Sequence, residues 1–147
     1  MPSIIPGYVY SLFAALIVGT IIVGSCSAIM LNVKNKAENQ QLSNINAYIA
    51  TESLALLSQT TTSNRNSTQY LQIPNDIGAR QYWVRITNDS SRAWIESGFG
   101  TTIIPGQPDM YIPAKISATG TYVSNSGRAF LICQIENQTA VLTLTNR

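Results

Sequence analysis

Residues 8–59 read YVYSLFAALIVGTIIVGSCSAIMLNVKNKAENQQLSNINAYIATESLALLSQ, two unlike helical patterns joined without a break. The first is uncharged: Met1 to Val33 holds no Asp, Glu, Lys or Arg, and Lys34 is the first formal charge. As a helix rising 1.5 Å per residue, Tyr8 to Val33 would extend roughly 39 Å, against about 30 Å for the hydrocarbon core of a bilayer. Pro6-Gly7 suits the start of such a helix, because the first turn does not need the N–H that proline lacks. The second pattern contains no Gly or Pro from Lys34 to Gln59, and Leu42, Ile45, Ile49 and Leu56 recur at intervals of three, four and seven residues. Residues 32–41 are polar on every side, whereas Leu42 to Leu57 carry an apolar stripe that must pack on something. The sequence thus predicts a helical region over 1–59, apolar first and then an amphipathic stem whose Leu42, Ile45, Ile49 and Leu56 cover a following domain.

Outward from this helix the periodicity changes. TTTSNRNST, residues 60–68, is rich in β-branched and turn-forming residues without apolar spacing, and reads as a linker. Residues 69–147 then read as strands between turns: YLQI, QYWVRIT, RAWIES, MYI, TGTYVS, RAFLICQIE and AVLTLT. QYWVRIT and RAWIES predict a hairpin across NDSS, and TGTYVS with RAFLICQIE a second about Asn125-Ser126-Gly127. AFLICQI is apolar at nearly every position, the mark of a central strand buried on both faces. The expected fold class is α+β, a long N-terminal hydrophobic helix followed by an antiparallel β-sandwich-like or strongly curled head domain.

Catalytic chemistry finds little purchase. Histidine is absent, which removes the commonest general base and the commonest neutral metal ligand. No CxxC occurs, the seven carboxylates never fall in a metal-loop spacing, and the glycines of ESGFG and ATGTYVSNSG match no phosphate-cradling pattern. The expectation is no enzyme, no catalytic residue, no metal and no cofactor. Net charge is +2, with Arg65, Arg80, Arg85, Arg92, Lys115 and Arg128 scattered among acids, which is no footprint for nucleic acid. Cys26 lies in the apolar helix and Cys133 in an apolar strand, so two free thiols are expected rather than a bridge.

The surface is more telling. From Thr60 to Arg147, 20 of 88 residues are Ser or Thr and only 12 are charged, so hydroxyls and amides carry solubility. Asn66, Asn88 and Asn137 each begin an N-x-Ser/Thr triplet in or beside a turn and are candidate N-glycan acceptors, which would place the domain outside the membrane. In the apolar segment, Ser11, Ala15 and Gly19 stand four apart, as do Thr20, Gly24 and Ala28, giving two ridges of small residues along which another helix can approach closely. A signal peptide is the competing reading of this segment: SCSA offers a cut after Ala28 and VGSC a lipoprotein-like end at Cys26, but no basic n-region precedes them. Lys34 and Lys36 tilt the positive-inside count slightly towards a cytoplasmic C-terminal side, and the sequons and hydroxyl-rich strands point the other way.

SLFAALIVGTIIVGSCSAIMLNV running without a break into NQQLSNINAYIATESLALL and then into a Thr-rich β domain resembles an archaeal type IV pilin or archaellin. The resemblance is architectural and covers the whole chain. It departs from the family pattern in having no Lys or Arg before Lys34 and no Glu near its start. It implies a homopolymeric extracellular filament, inserted through the membrane before assembly, with hydrophobic helices as the core and β domains as the sheath. The expectation from a different class is a single-pass surface anchor whose β domain binds an envelope or S-layer partner.

Overall fold

The computed structural model describes residues 5–104, 106, 108–114, 116–136 and 139–147. One helix, α1, runs from Ile5 to Ser63, and seven strands follow: β1 (Ser67–Tyr70), β2 (Tyr82–Asn88), β3 (Ala93–Phe99), β4 (Met110–Ile112), β5 (Ser117–Val123), β6 (Ala129–Glu136) and β7 (Thr139–Asn146). Internal contacts divide the chain into two compact units, 1–37 and 38–147. The class is α+β, a long apolar N-terminal helix followed by a mostly antiparallel sheet.

The helix passes the expected stop at Gln59 and takes in Thr60 to Ser63. Thr61 Oγ1 donates to the Leu57 carbonyl at 2.8 Å and Ser63 Oγ to that of Gln59 at 2.7 Å, so hydroxyls that could compete with the helix instead bond back onto it. Asn64, at φ 51°, takes the left-handed conformation that ends helices. β1 begins at Ser67, so residues 64–66 alone connect helix and sheet where a linker over 60–68 was expected.

In the second unit the strands form one seven-stranded sheet in the order β1-β6-β7-β5-β2-β3-β4. The hairpin of β2 and β3 forms as expected, with Ile86 opposite Ile95 and Arg85 opposite Glu96. The second expected hairpin does not: β5 and β6 flank β7 rather than each other. The turn about Asn125 (φ 64°) and Gly127 (φ 112°) is present, but β7 pairs with β6 along eight residues and takes the place beside it. β5 changes neighbours halfway along. Ser117 to Gly120 pair in parallel with β7, and Thr121 to Val123 pair antiparallel with β2. Gly120, at φ 118°, stands at the change, and a Cβ there would run into the Leu144 backbone. Only glycine fits so close an approach in that conformation. β5 is therefore shared by two four-stranded halves, β1-β6-β7-β5 and β5-β2-β3-β4, and its partner changes at Gly120.

One face of the sheet is the core. Tyr82, Val84, Ile86, Ile95, Leu131 and Leu142 are fully buried on it with Ile49 of the helix. β6 buries Ala129, Leu131 and Cys133 on one face and leaves Phe130 and Ile132 half-buried and Gln134 and Glu136 exposed on the other, so it is covered on one face where burial on both was expected. On the opposite face Arg85 Nη2 meets Glu96 Oε2 at 2.7 Å, and the Trp94 indole N–H donates to Glu96 Oε1 at 2.8 Å, so this buried carboxylate has a partner at each oxygen.

Candidate functional site

In the first unit every side chain described, from Gly7 to Ala37, is exposed. Among the described residues, this is the one helix long and apolar enough to cross a membrane. Three of its hydroxyls bond back onto the helix: Thr20 Oγ1 donates to Ile17 O at 2.8 Å, Ser25 Oγ to Ile21 O at 2.8 Å and Ser27 Oγ to Val23 O at 2.9 Å. These three groups are thus satisfied without water, as an apolar medium would require.

The two ridges of small residues lie on this surface. At about 100° per residue, the centres of Ser11, Ala15, Gly19 and of Thr20, Gly24, Ala28 stand roughly 180° apart around the axis and about 14 Å apart along it. Between them runs a shallow apolar groove lined by Leu12, Leu16 and Val23, with Ala15, Gly19 and Gly24 as its low points. A Cβ at Gly19 or Gly24 would meet nothing within 4 Å. Nothing in the chain itself requires glycine there.

In the second unit, Leu42, Ile45, Ile49 and Leu56 are all buried in the core cluster, and Ala50 and Leu57 join them. Polar contacts fix the stem as well. Asn46 Nδ2 donates to Ser97 Oγ at 2.8 Å, and Asp109 Oδ2 accepts from the Ser97 N–H at 2.7 Å and from its hydroxyl at 2.6 Å. Glu38, itself buried, pairs with Arg80 at 3.3 Å, and the Arg80 guanidinium lies 4.2 Å from the centre of the Phe99 ring. Arg80 closes a tight turn in which Ile77 and Arg80 exchange backbone hydrogen bonds of 3.0 Å, and Gly78 (φ 58°) leaves the room that the Glu38 side chain fills. Sequence reading missed Glu38 and Asn46. The signal was there: both stand four residues from Leu42, on its stripe, where an acid or amide needs a partner in the sheet.

Two titratable groups stand out in this unit. Burial pushes the Tyr82 phenol well above its usual value, helped by Tyr122 and Asp76, and its O–H donates to Pro74 O at 2.5 Å. At the β2–β3 turn, hydrogen bonds from the Ser91 and Arg92 N–H groups hold the Asp89 carboxyl low.

The candidate glycan acceptors differ. Asn66 is exposed in the short connection before β1. Asn88 is half-buried, and both ends of its amide are engaged: Oδ1 accepts from the Ala118 N–H at 3.0 Å and Nδ2 donates to Asp89 O at 2.9 Å. Asn137 lies outside the described residues. Both cysteines are free thiols, Cys26 exposed and Cys133 buried. No family model, curated protein or solved structure matches this chain. Among the described residues no group of three or more His, Cys, Asp or Glu is placed to hold a metal ion.

Proposed function

We propose that the protein is a structural subunit of an extracellular filament of the type IV pilus or archaellum kind, with the apolar helices of many copies as its core and the β domains outside. The observation that carries this reading is the exposure of the apolar side chains from Tyr8 to Val33 on a helix whose later turns, from Leu42, are buried against a sheet. An apolar surface of that length is stable only against lipid or against other helices. The ridges favour other helices as the final state. Contacts made on two unlike faces are heterologous, and a heterologous contact that does not close on itself propagates into an open helical polymer. The membrane holds the subunit before assembly. In this reading the β domain is a packing and surface element and does no catalysis.

A second reading is a single-pass anchor whose β domain binds an envelope or S-layer partner. It is favoured by the exposed Tyr8 and Tyr10 at one end of the apolar stretch and Lys34 and Lys36 at the other, the residue types that mark the two interfaces of a bilayer span.

Gly19→Leu and Gly24→Leu separate the two. Because a single copy has open space at both positions, any loss reports on neighbouring copies. Overpacking a helix contact costs about 1–3 kcal/mol per site, repeated at every subunit, whereas a leucine facing lipid is favourable and raises helix propensity. Electron microscopy of surface preparations should show filaments lost in the double variant while the chain still enters the membrane fraction. Intact filaments bearing both leucines would refute the packing role, and a wild type that never leaves the membrane fraction would establish the anchor.

A further inference from the structure

We infer that Asn66 carries an N-linked glycan, that Asn88 does not, and that the sugar covers the free edge of β1; this rests on the extracellular β domain proposed above. Both residues begin an N-x-Ser/Thr triplet, so the sequence treats them alike. The structure does not. Transfer from a phosphate-linked carrier sugar joins the anomeric carbon to Nδ2. The bond from that carbon to the phosphate oxygen breaks with its electron pair leaving on the carrier, and Nδ2 gives up one proton. The amide must therefore present Nδ2 to an enzyme. At Asn88 that nitrogen already donates to Asp89 O, Oδ1 holds the Ala118 N–H, and the residue is the last of β2, paired with Ala93. Asp89 and Ser90, which complete this triplet, sit in the turn that Asp89 ties to the Ser91 and Arg92 N–H groups. At Asn66 the side chain is exposed and makes no hydrogen bond among the described residues, and the backbone there belongs to neither helix nor strand.

The position has a consequence for the sheet. Its two outermost strands are β1 and β4. β4 is three residues long and runs straight into Pro113, a guard against pairing with another chain. β1 has no charge and no proline. The Leu71 N–H bonds to Ala129 O at 3.0 Å, so by the alternation of an antiparallel ladder the backbone groups of Ser67 and Gln69 face β6 while those of Thr68 and Tyr70 face outward. Thr68 and Tyr70 are exposed. Asn66 precedes Thr68 by about 7 Å of extended chain, so a sugar there stands over the open ladder.

The test is mass spectrometry of protein from its own cells. Trypsin separates the two triplets, since cleavage after Arg65, Arg80, Arg85 and Arg92 yields peptides 66–80 and 86–92. Peptide 66–80 should carry a saccharide mass that is lost in Asn66→Gln, and 86–92 should be unmodified. An unmodified 66–80, or a glycan on 86–92, overturns the assignment. The edge role is read by sedimentation of Asn66→Gln, which should show added self-association; unchanged sedimentation refutes it. Protease treatment of intact cells tells this failure from that of the functional reading. A domain that is cleaved at the surface yet bare at Asn66 refutes the glycan alone, and a domain shielded from protease refutes both.

Discussion

Deleting the stem should unfold the β domain outright rather than weaken it. Residues 38–63 contribute Leu42, Ile45, Ile49, Leu56 and Leu57 to the core, each at most 8% exposed. At about 1.5–3 kcal/mol for each large aliphatic side chain fully buried, their removal withdraws roughly 8–15 kcal/mol of gross stabilisation. Extended-chain references exaggerate such figures by roughly 10–40%, yet even the reduced value rivals the whole stability of a domain, about 5–15 kcal/mol. The loss is two-sided, because the fully buried Tyr82, Leu131 and Leu142 belong to the same cluster and would be left without that cover. The comparison is between chains 38–147 and 64–147, both retaining β1. The longer should show a dispersed amide NMR spectrum and a single cooperative melt, and the shorter neither. A well-dispersed spectrum and cooperative melt from 64–147 would refute the argument, since the sheet would then be stable with its core face open.

Three further outcomes are expected. Gly120→Ala, with its positive φ and the Leu144 backbone in the way, should cost more in urea unfolding than Gly100→Ala, which has φ 101° but open space and so bears only the conformational penalty of about 1–3 kcal/mol; equal costs would mean that Gly120 does not approach Leu144 as closely as described. The Tyr82 phenol is raised by burial above its unfolded value of about 10, so its contribution is complete below pH 10 and is lost as pH rises towards the folded value. Tyrosine absorbance should accordingly show a late-titrating class that appears only with unfolding, and Tyr82→Phe should move that alkaline unfolding to higher pH. Reducing agent should leave melting unchanged, because Cys133 is buried and Cys26 is exposed on an apolar helix; a thiol assay that finds fewer than two free cysteines in the unfolded chain would contradict this.

What the sequence made legible was periodic and local. The stripe through Leu42, Ile45, Ile49 and Leu56 marks the face that the sheet covers, because a helix with a 3.6-residue repeat can bury only one side. The β2–β3 hairpin was legible for the same reason, its partners being adjacent in the chain. The helix end was misplaced because Thr61 and Ser63 read as breakers until their hydroxyls are seen to bond back to the helix. The pairing of β5 with β7 was hidden altogether. A turn as clear as Asn125-Ser126-Gly127 promises a hairpin, but β6 pairs instead with β7, which begins two residues after it, and with β1 on its other side, so β5 is left to the far side of β7. The proposed assembly surface was half legible. Spacing gives the ridges, but open space at Gly19 and Gly24, and the difference between Asn66 and Asn88, belong to three-dimensional surroundings that one chain pattern does not encode.

The place of β7 bears on how the protein is made. It is the last strand in the chain and the third in the sheet, and the half containing β1 and β6 joins the half containing β2, β3 and β4 through it and β5. On a ribosome adding about 5–20 residues per second, the stem is therefore finished on the order of ten seconds before the strand that completes its cover. Through that interval Leu42, Ile45 and Ile49 have no sheet to lie on, and the uncharged helix ahead of them has already been synthesised. Early delivery of that helix to a bilayer would keep the nascent chain from aggregating while its domain is incomplete, so the segment proposed to assemble would also guard the order of synthesis.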